Sequence, residues 1–203
     1  IWFHHPTTGL WAIESEGPKL RIGRSSLAKV SGLIHVIAAA DGNLVLVAHN
    51  GLFRYGLAGL KPWSAGASQF VEQGNPTSAC SLPDGRIAIG SLTGGLAIVS
   101  ADGSDVKVID RAHGLPNQSI FQVSAGSDNT LWCAMPTHVA AIDTSQSREY
   151  WKIIDTPAEN TNSVSTAGGK IWLATNDGAY RFVNGAIHRV GDGYFFDTIA
   201  SES

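Results

Sequence analysis

Charge, cysteine and long apolar runs are all scarce in this chain, and each shortage removes a class of function. Only 15% of the 203 residues are charged, the net charge is −3, and Lys19, Arg21 and Arg24 are the densest basic stretch. Phosphate contacts need a basic patch, so nucleic-acid binding is not expected. The two cysteines, Cys80 and Cys133, form no CxxC pair, which argues against a zinc or thioredoxin-type site. Each falls in a predicted strand, where cysteine behaves as a small apolar residue; whether the two pair is left open. No stretch approaches the ~18 apolar residues of a membrane helix. No start Met or signal peptide is present, so the chain reads as a processed product or a piece of a larger polypeptide. No segment keeps a helical period beyond two turns, and almost no helix is expected.

Catalytic signatures are missing too. There is no G-x-S-x-G elbow, no HExxH, no phosphate-binding Gly loop and no Rossmann fingerprint.

What the chain does contain is glycine, 23 residues of it, and a repeat. An apolar pair, a few small or polar residues, a Gly or small residue and a second apolar pair recur five times. The copies are Ile1-Trp2…Gly9-Leu10-Trp11, Leu44-Val45…Gly51-Leu52-Phe53, Ile87-Ala88…Gly95-Leu96-Ala97, Leu131-Trp132…Val139-Ala140 and Ile171-Trp172…Gly178-Ala179-Tyr180. Their first residues are 43, 43, 44 and 40 apart. A period of ~40–45 residues built from short strands marks a β-propeller blade.

One unit shows the blade plan. After the loop His113-Gly114-Leu115-Pro116-Asn117, strand A is expected over Ser119–Ser124, B over Leu131–Ala134, C over His138–Ile142 and D over Glu149–Ile154. Asp41-Gly42-Asn43, Pro83-Asp84-Gly85, Ser127-Asp128-Asn129 and Gly168-Gly169 supply the A–B turns. In this phase residues 1–5 are a B strand, 9–14 a C strand and about 19–23 a D strand. Phe195–Ala200 then supplies the missing A strand. The fold expected is all-β: a propeller of four-stranded antiparallel blades, five of them, closed by mixing strands from both ends. Blade limits fall at about 1–31 with 194–203, 32–74, 75–117, 118–159 and 160–193. Such closure removes open sheet edges; pairing of Phe195–Ala200 with Ile1–His5 is its test.

The run GLPNQSIFQVSAGSDNTLWCAMPTHVAAID, from Gly114 onward, resembles the two-component-regulator propeller repeat. DGNLVLVAHNGLFRY, PDGRIAIGSLTGGLAIV and IWLATNDGAYRF are similar to it as well. The resemblance spans essentially the whole chain. Departures are Val139-Ala140 in place of Gly-Leu, His4-His5-Pro6 where Gly-Thr is usual, and a single complete Gly-Leu-Pro. The resemblance implies a sensory region, periplasmic or extracellular, whose output kinase or cyclase domain is absent from these residues. Repeat motifs identify a fold far better than a ligand.

Innermost A strands line a propeller's channel. Aligned on their turns, they share one polar position: His35, Ser78, Gln122, Ser163 (or Asn162) and Thr198. Units related by radial repetition hold equivalent residues at equal depth, so these form a ring that holds water or a polar ligand. The B–C and D–A loops share one face and carry His49, His113, Asn117 and His138, with His4, His5, Glu72, Gln73, Asn75, Asp110, Arg111, Asn160 and Asp177. The histidines come from different blades at unmatched offsets, and adjacent His4 and His5 point to opposite faces of a strand, so no metal or other cofactor is expected. A propeller glycosidase needs two channel carboxylates, and the A strands offer only Asp197.

The expected function is therefore a non-catalytic binding module for a small molecule, glycan or peptide, with homodimer contacts allowed. Three rivals stand beside it. A lectin-like propeller needs matching loops, and the five B–C loops do not match. A lyase or hydrolase needs a His–carboxylate pair, for which His113–Asp110 and His49–Glu72 are the candidates. An assembly propeller needs a large outer apolar patch.

Overall fold

The computed structural model describes every residue except 40, 146–150, 157–159, 168–169, 196 and 198–203. It is a β-propeller of five antiparallel sheets, each a meander that runs outward from the channel. Blade 1 consists of β1 (Trp2–His5), β2 (Gly9–Glu14) and β3 (Gly17–Gly23). Blade 2 follows as β4 (Leu33–Ala38), β5 (Leu44–Ala48), β6 (Gly51–Gly56) and β7 (Gly59–Pro62). A helix, α1 (Ala65–Gly74), leads into blade 3: β8 (Pro76–Ser81), β9 (Ile87–Ser91), β10 (Leu96–Val99) and β11 (Val106–Ile109). Blade 4 is β12 (Gln122–Ala125), β13 (Thr130–Ala134), β14 (His138–Asp143) and β15 (Trp151–Asp155). Blade 5 is β16 (Thr161–Ala167), β17 (Lys170–Thr175), β18 (Gly178–Val183) and β19 (Ala186–Asp192). Among the described residues blade 1 has three strands and the others four.

The recurring apolar pairs are explained by stacking. A blade packed between two others buries both faces of its middle strands, so β9 and β10 are buried at every residue rather than alternating. Four apolar clusters fill four junctions. Leu10, Ile22, Leu46 and Phe53 join blades 1 and 2. Val47, Phe70, Ile89 and Val99 join blades 2 and 3, with α1 between them. Leu96, Ile120, Leu131 and Ile142 join 3 and 4, and Trp132, Val164, Leu173 and Tyr180 join 4 and 5.

The other face of blade 1 stays open to solvent. Phe3 pairs with Trp11 across the strands, their rings stacked at 6.1 Å and 9°. Ile1, Ile13 and Leu20 lie on the same face, Ile1 at 88% exposure and Ile13 at 49%. Residues 196 and 198–200, four of the six in the strand expected to complete this blade, lie outside the described residues, as does the Gly168-Gly169 turn.

The helix corrects the expectation of almost none. Ala67, Phe70, Val71 and Gly74 are buried, at the i, i+3, i+4, i+7 spacing of one helical face. Only two of these four are large apolar residues, which hides the period in the sequence. The helix packs on β6 and β10, and it places Glu72 and Gln73 on a helix rather than a loop. Asn75 follows in the left-handed region at φ 53, a conformation Asn tolerates. The A strand of blade 4 also starts later than expected, at Gln122 rather than Ser119.

Candidate functional site: the channel ring

Each A strand has its inner edge turned to the channel, where no further strand can pair with it. Those edge groups must be satisfied by side chains or water. The structure does this with one repeated device. Ser78 Oγ accepts the N–H of Val123 in the next blade at 2.9 Å. Gln122 Oε1 accepts the N–H of Val164, again in the next blade, at 2.8 Å. In both cases the donor is the residue just after the next ring position.

A bulge precedes the ring residue. The register shifts between Leu33 and His35, Pro76 and Ser78, and Thr161 and Ser163. In blade 4 both Phe121 and Gln122 oppose Ala134. A bulge re-aims its side chains, and these residues turn toward the channel. Thr77 Oγ1 donates to Ile120 O at 2.7 Å, and Asn162 Nδ2 donates to Phe195 O at 2.8 Å.

This stitching fixes the level of the described residues that follow β19. Ile120, two residues before Gln122, donates its N–H to Ser91 O at 2.8 Å; Phe195 donates to Thr175 O at 2.9 Å. Asn162 reaches Phe195 just as Thr77 reaches Ile120. The ring level after β19 is therefore Asp197, one residue before Thr198, which lies outside the described residues. Ser163 Oγ donates to Asp197 Oδ1 at 2.7 Å.

His35, Ser78, Gln122, Ser163 and Asp197 line one cavity of about 590 Å³, together with Thr77, Ala79, Phe121, Val123 and Asn162. The His35 imidazole is reachable by solvent, yet channel walls surround it. That partial loss of hydration disfavours the charged ring and lowers its pKa below the usual histidine value. No Lys or Arg is among the described residues that line the cavity.

The loop residues behave differently, for none of them lines this cavity. B–C and D–A loops do share a face: Leu92 N–H meets Asn75 O, and Thr156 N–H meets Thr137 O. Asp110 caps a short 3-10 turn, Arg111–His113, by accepting from Ala112 and His113 N–H. Its Oδ1 lies 2.8 Å from His113 Nδ1, and these bonds, the His113 ring first, hold the carboxyl below its usual range. Asn117 Oδ1 accepts from Ser119 N–H at 2.9 Å, an Asx turn. His138 lies 2.7 Å from Thr137 Oγ1 and 3.2 Å from Asp155 Oδ1. The exposed His49 ring covers Gly32, where a Cβ would fall 2.4 Å from its Cδ2. No hydrogen bond or ion pair among the described residues joins His49 to Glu72. Local contacts account for Asp110–His113 and Asn117, both in the connection between β11 and β12, and for His138, whose partners Thr137 and Asp155 lie in blade 4.

Cys80 and Cys133 are both free thiols. Burial pushes the Cys80 thiol up to about 12 and raises Cys133 as well; a buried thiol in this state is a poor nucleophile.

No family model and no curated protein sequence matches the chain. Solved structures do. The extracellular domain of the hybrid two-component system BT3049 from B. thetaiotaomicron matches 100% of the chain with TM-score 0.73 and 15% identity. Streptogramin B lyase matches 94% with TM-score 0.72 and 16% identity. The gluconolactonase XC5397 from Xanthomonas campestris matches 94% with TM-score 0.62 and 12% identity. At such identities the likeness is one of fold. The chain spans 29% of the BT3049 chain and 64% of the streptogramin lyase chain. No helix among the described residues is long and apolar enough to cross a membrane.

Proposed function

We infer that this propeller is a non-catalytic binding module of the sensory region of a two-component-type receptor, periplasmic or extracellular, and that its ligand sits in the channel. The convergence of ring residues from four blades and of Asp197 on one cavity carries this reading. Its volume lies within the ~300–1,000 Å³ typical of small-molecule sites. The extracellular domains of BT3049 and BT4673 support the sensory setting. Occupancy would pass through blade-to-blade packing to a kinase or cyclase domain outside these residues.

A thermal-shift screen of small polar molecules, glycans and peptides tests the reading. A ligand at about 100 times its Kd stabilises by about 2.7 kcal/mol, which for a domain of this size raises Tm by about 5–10 °C. That shift is expected for at least one class, and its loss in His35→Leu is expected with it. A screen without a hit would sink the reading.

The lyase and lactonase neighbours, with His35 and Asp197 in one cavity, favour a second reading as a propeller lyase or hydrolase. Against it, none of the described hydrogen bonds orients the His35 ring, as an acid–base role requires. Turnover of a streptogramin B or of gluconolactone, abolished by His35→Asn, would establish it.

A further inference from the structure

We propose that the sector of the channel between blades 3 and 4 is a subsite for the acceptor oxygen of a carbonyl or carboxylate group carried on a flat apolar body. Gln122 and Ser78 are its hydrogen-bond donors and Phe121 is its apolar wall. This rests on the channel being the ligand site and adds which wall the ligand meets and with what chemistry.

The stitching between blades sorts donors from acceptors. Gln122 Oε1 accepts the Val164 N–H at 2.8 Å. Only the oxygen of an amide can accept, so this bond sets which way round the Gln122 side chain lies. Its Nε2 group keeps two protons, has no acceptor among the described residues and is not closed off from solvent. Ser78 follows the same rule. Its Oγ accepts the Val123 N–H at 2.9 Å, and no described residue accepts its hydroxyl proton. Val123 is the neighbour of Gln122, so the two donor groups stand at adjacent ring positions, and both residues line the cavity. Elsewhere the hydroxyls of this belt bond their neighbours: Thr77 Oγ1 donates to Ile120 O and Ser163 Oγ to Asp197 Oδ1. The acceptor atoms of Gln122 and Ser78 thus hold the blades together, and their donors are left for the channel. Donors without acceptors suit a ligand group that only accepts, a carbonyl or carboxylate oxygen.

Phe121 completes the subsite. It holds the bulge position at which Thr77 and Asn162 bond the next strand. A phenyl ring cannot make that bond, and Phe121 lines the cavity beside Gln122 instead. Ala79 and Val123 extend the apolar wall. A flat apolar body gains by burying its area against such a wall and by stacking on the ring. An apolar lining with a few placed polar groups is the usual build of a small-molecule site.

The test is a titration of the chain at neutral pH, followed by calorimetry and amide NMR, with probes matched in shape. Acetophenone and ethylbenzene form one pair, cyclohexanone and methylcyclohexane the other; benzoate, set against ethylbenzene, separates a carboxylate from a carbonyl. A site built to hydrogen-bond a group rejects the analogue that lacks it. At least one oxygen-bearing probe is expected to bind at least tenfold tighter than its hydrocarbon partner. It should shift the Gln122 side-chain amide and give nuclear Overhauser contacts to the Phe121 ring. Gln122→Glu keeps an acceptor for Val164 and removes the two donors. It should cost that probe at least tenfold, change the hydrocarbon by less than twofold and leave Tm close to wild type. Equal affinity of oxygen-bearing and hydrocarbon probes, or affinity unmoved by Gln122→Glu, overturns the donor assignment. So does the failure of every probe while a hit from the thermal-shift screen shifts the channel amides, which keeps the channel as the site. No shift at any channel amide, with these probes or with any hit, overturns both.

Discussion

Gln122 carries the clearest single-residue argument. Its Oε1 is the acceptor for the Val164 N–H, and Val164 is fully buried. Gln122→Leu leaves that N–H without a partner, which costs about 1–3 kcal/mol. Gln122→Glu keeps an acceptor and should cost less. Urea denaturation measures both; equal stability of wild type and the Leu variant would contradict the stitching. His35 makes a pH prediction. Its folded pKa lies below the ordinary value near 6.5. As pH falls through about 6.5 the unfolded chain takes up a proton that the folded one refuses, so stability drops until the folded pKa is reached. Above that window His35 contributes nothing. The urea midpoint should decline between about pH 7 and 5 in the wild type, and less steeply in His35→Asn. Aligned on their A–B turns, His35, Ser78 and Gln122 fall at one level in the sequence, whereas Ser163 and Asn162 both fit that level, because the strand around them, Thr161–Ala167, is mostly polar. Asp197 was displaced by one because its level is set by hydrogen bonds from Asn162 and Ser163 in the neighbouring blade, which leave no mark in the sequence.

At the scale of elements, the bulges and the glycine slot explain what the repeat means. Gly95 opens β10 at φ +80, and a Cβ there would lie 2.4 Å from Ile109 O. Gly51, its counterpart in blade 2, has φ +126, but its nearest neighbour is the movable Ser68 side chain at 3.2 Å. Both alanine variants pay about 1–3 kcal/mol for the backbone, and Gly95→Ala pays for the backbone clash as well. Gly95→Ala should therefore lower Tm by several degrees more than Gly51→Ala in a thermal melt. Blade 4 puts His138 in this slot: Met135 N–H meets His138 O as Ser91 N–H meets Gly95 O. Val139 thus takes the leucine position, one residue off the alignment by sequence, since a loop of Met-Pro-Thr carries no glycine to mark the slot. Strand type and order were readable because apolar pairs and Asp-Gly turns repeat. The bulges were not, since an extra residue in a strand leaves no compositional mark. Helix α1 was hidden by a buried face half made of Ala and Gly.

Across the whole molecule, four junctions are filled by apolar clusters while the outer face of blade 1 keeps Ile1, Phe3, Ile13 and Leu20 exposed. The channel sits where the inner strands of these junctions converge, so one side-chain belt both ties blades together and walls the cavity. A ligand there touches several blades at once, whereas the loop histidines each belong to one. Amide NMR of the full chain, titrated with the molecule that most raises Tm, separates the two. The channel account predicts the largest changes at Val123, Val164 and the Gln122 side-chain amide. Changes confined to His49, His113 and His138, with the channel amides unmoved, would contradict it.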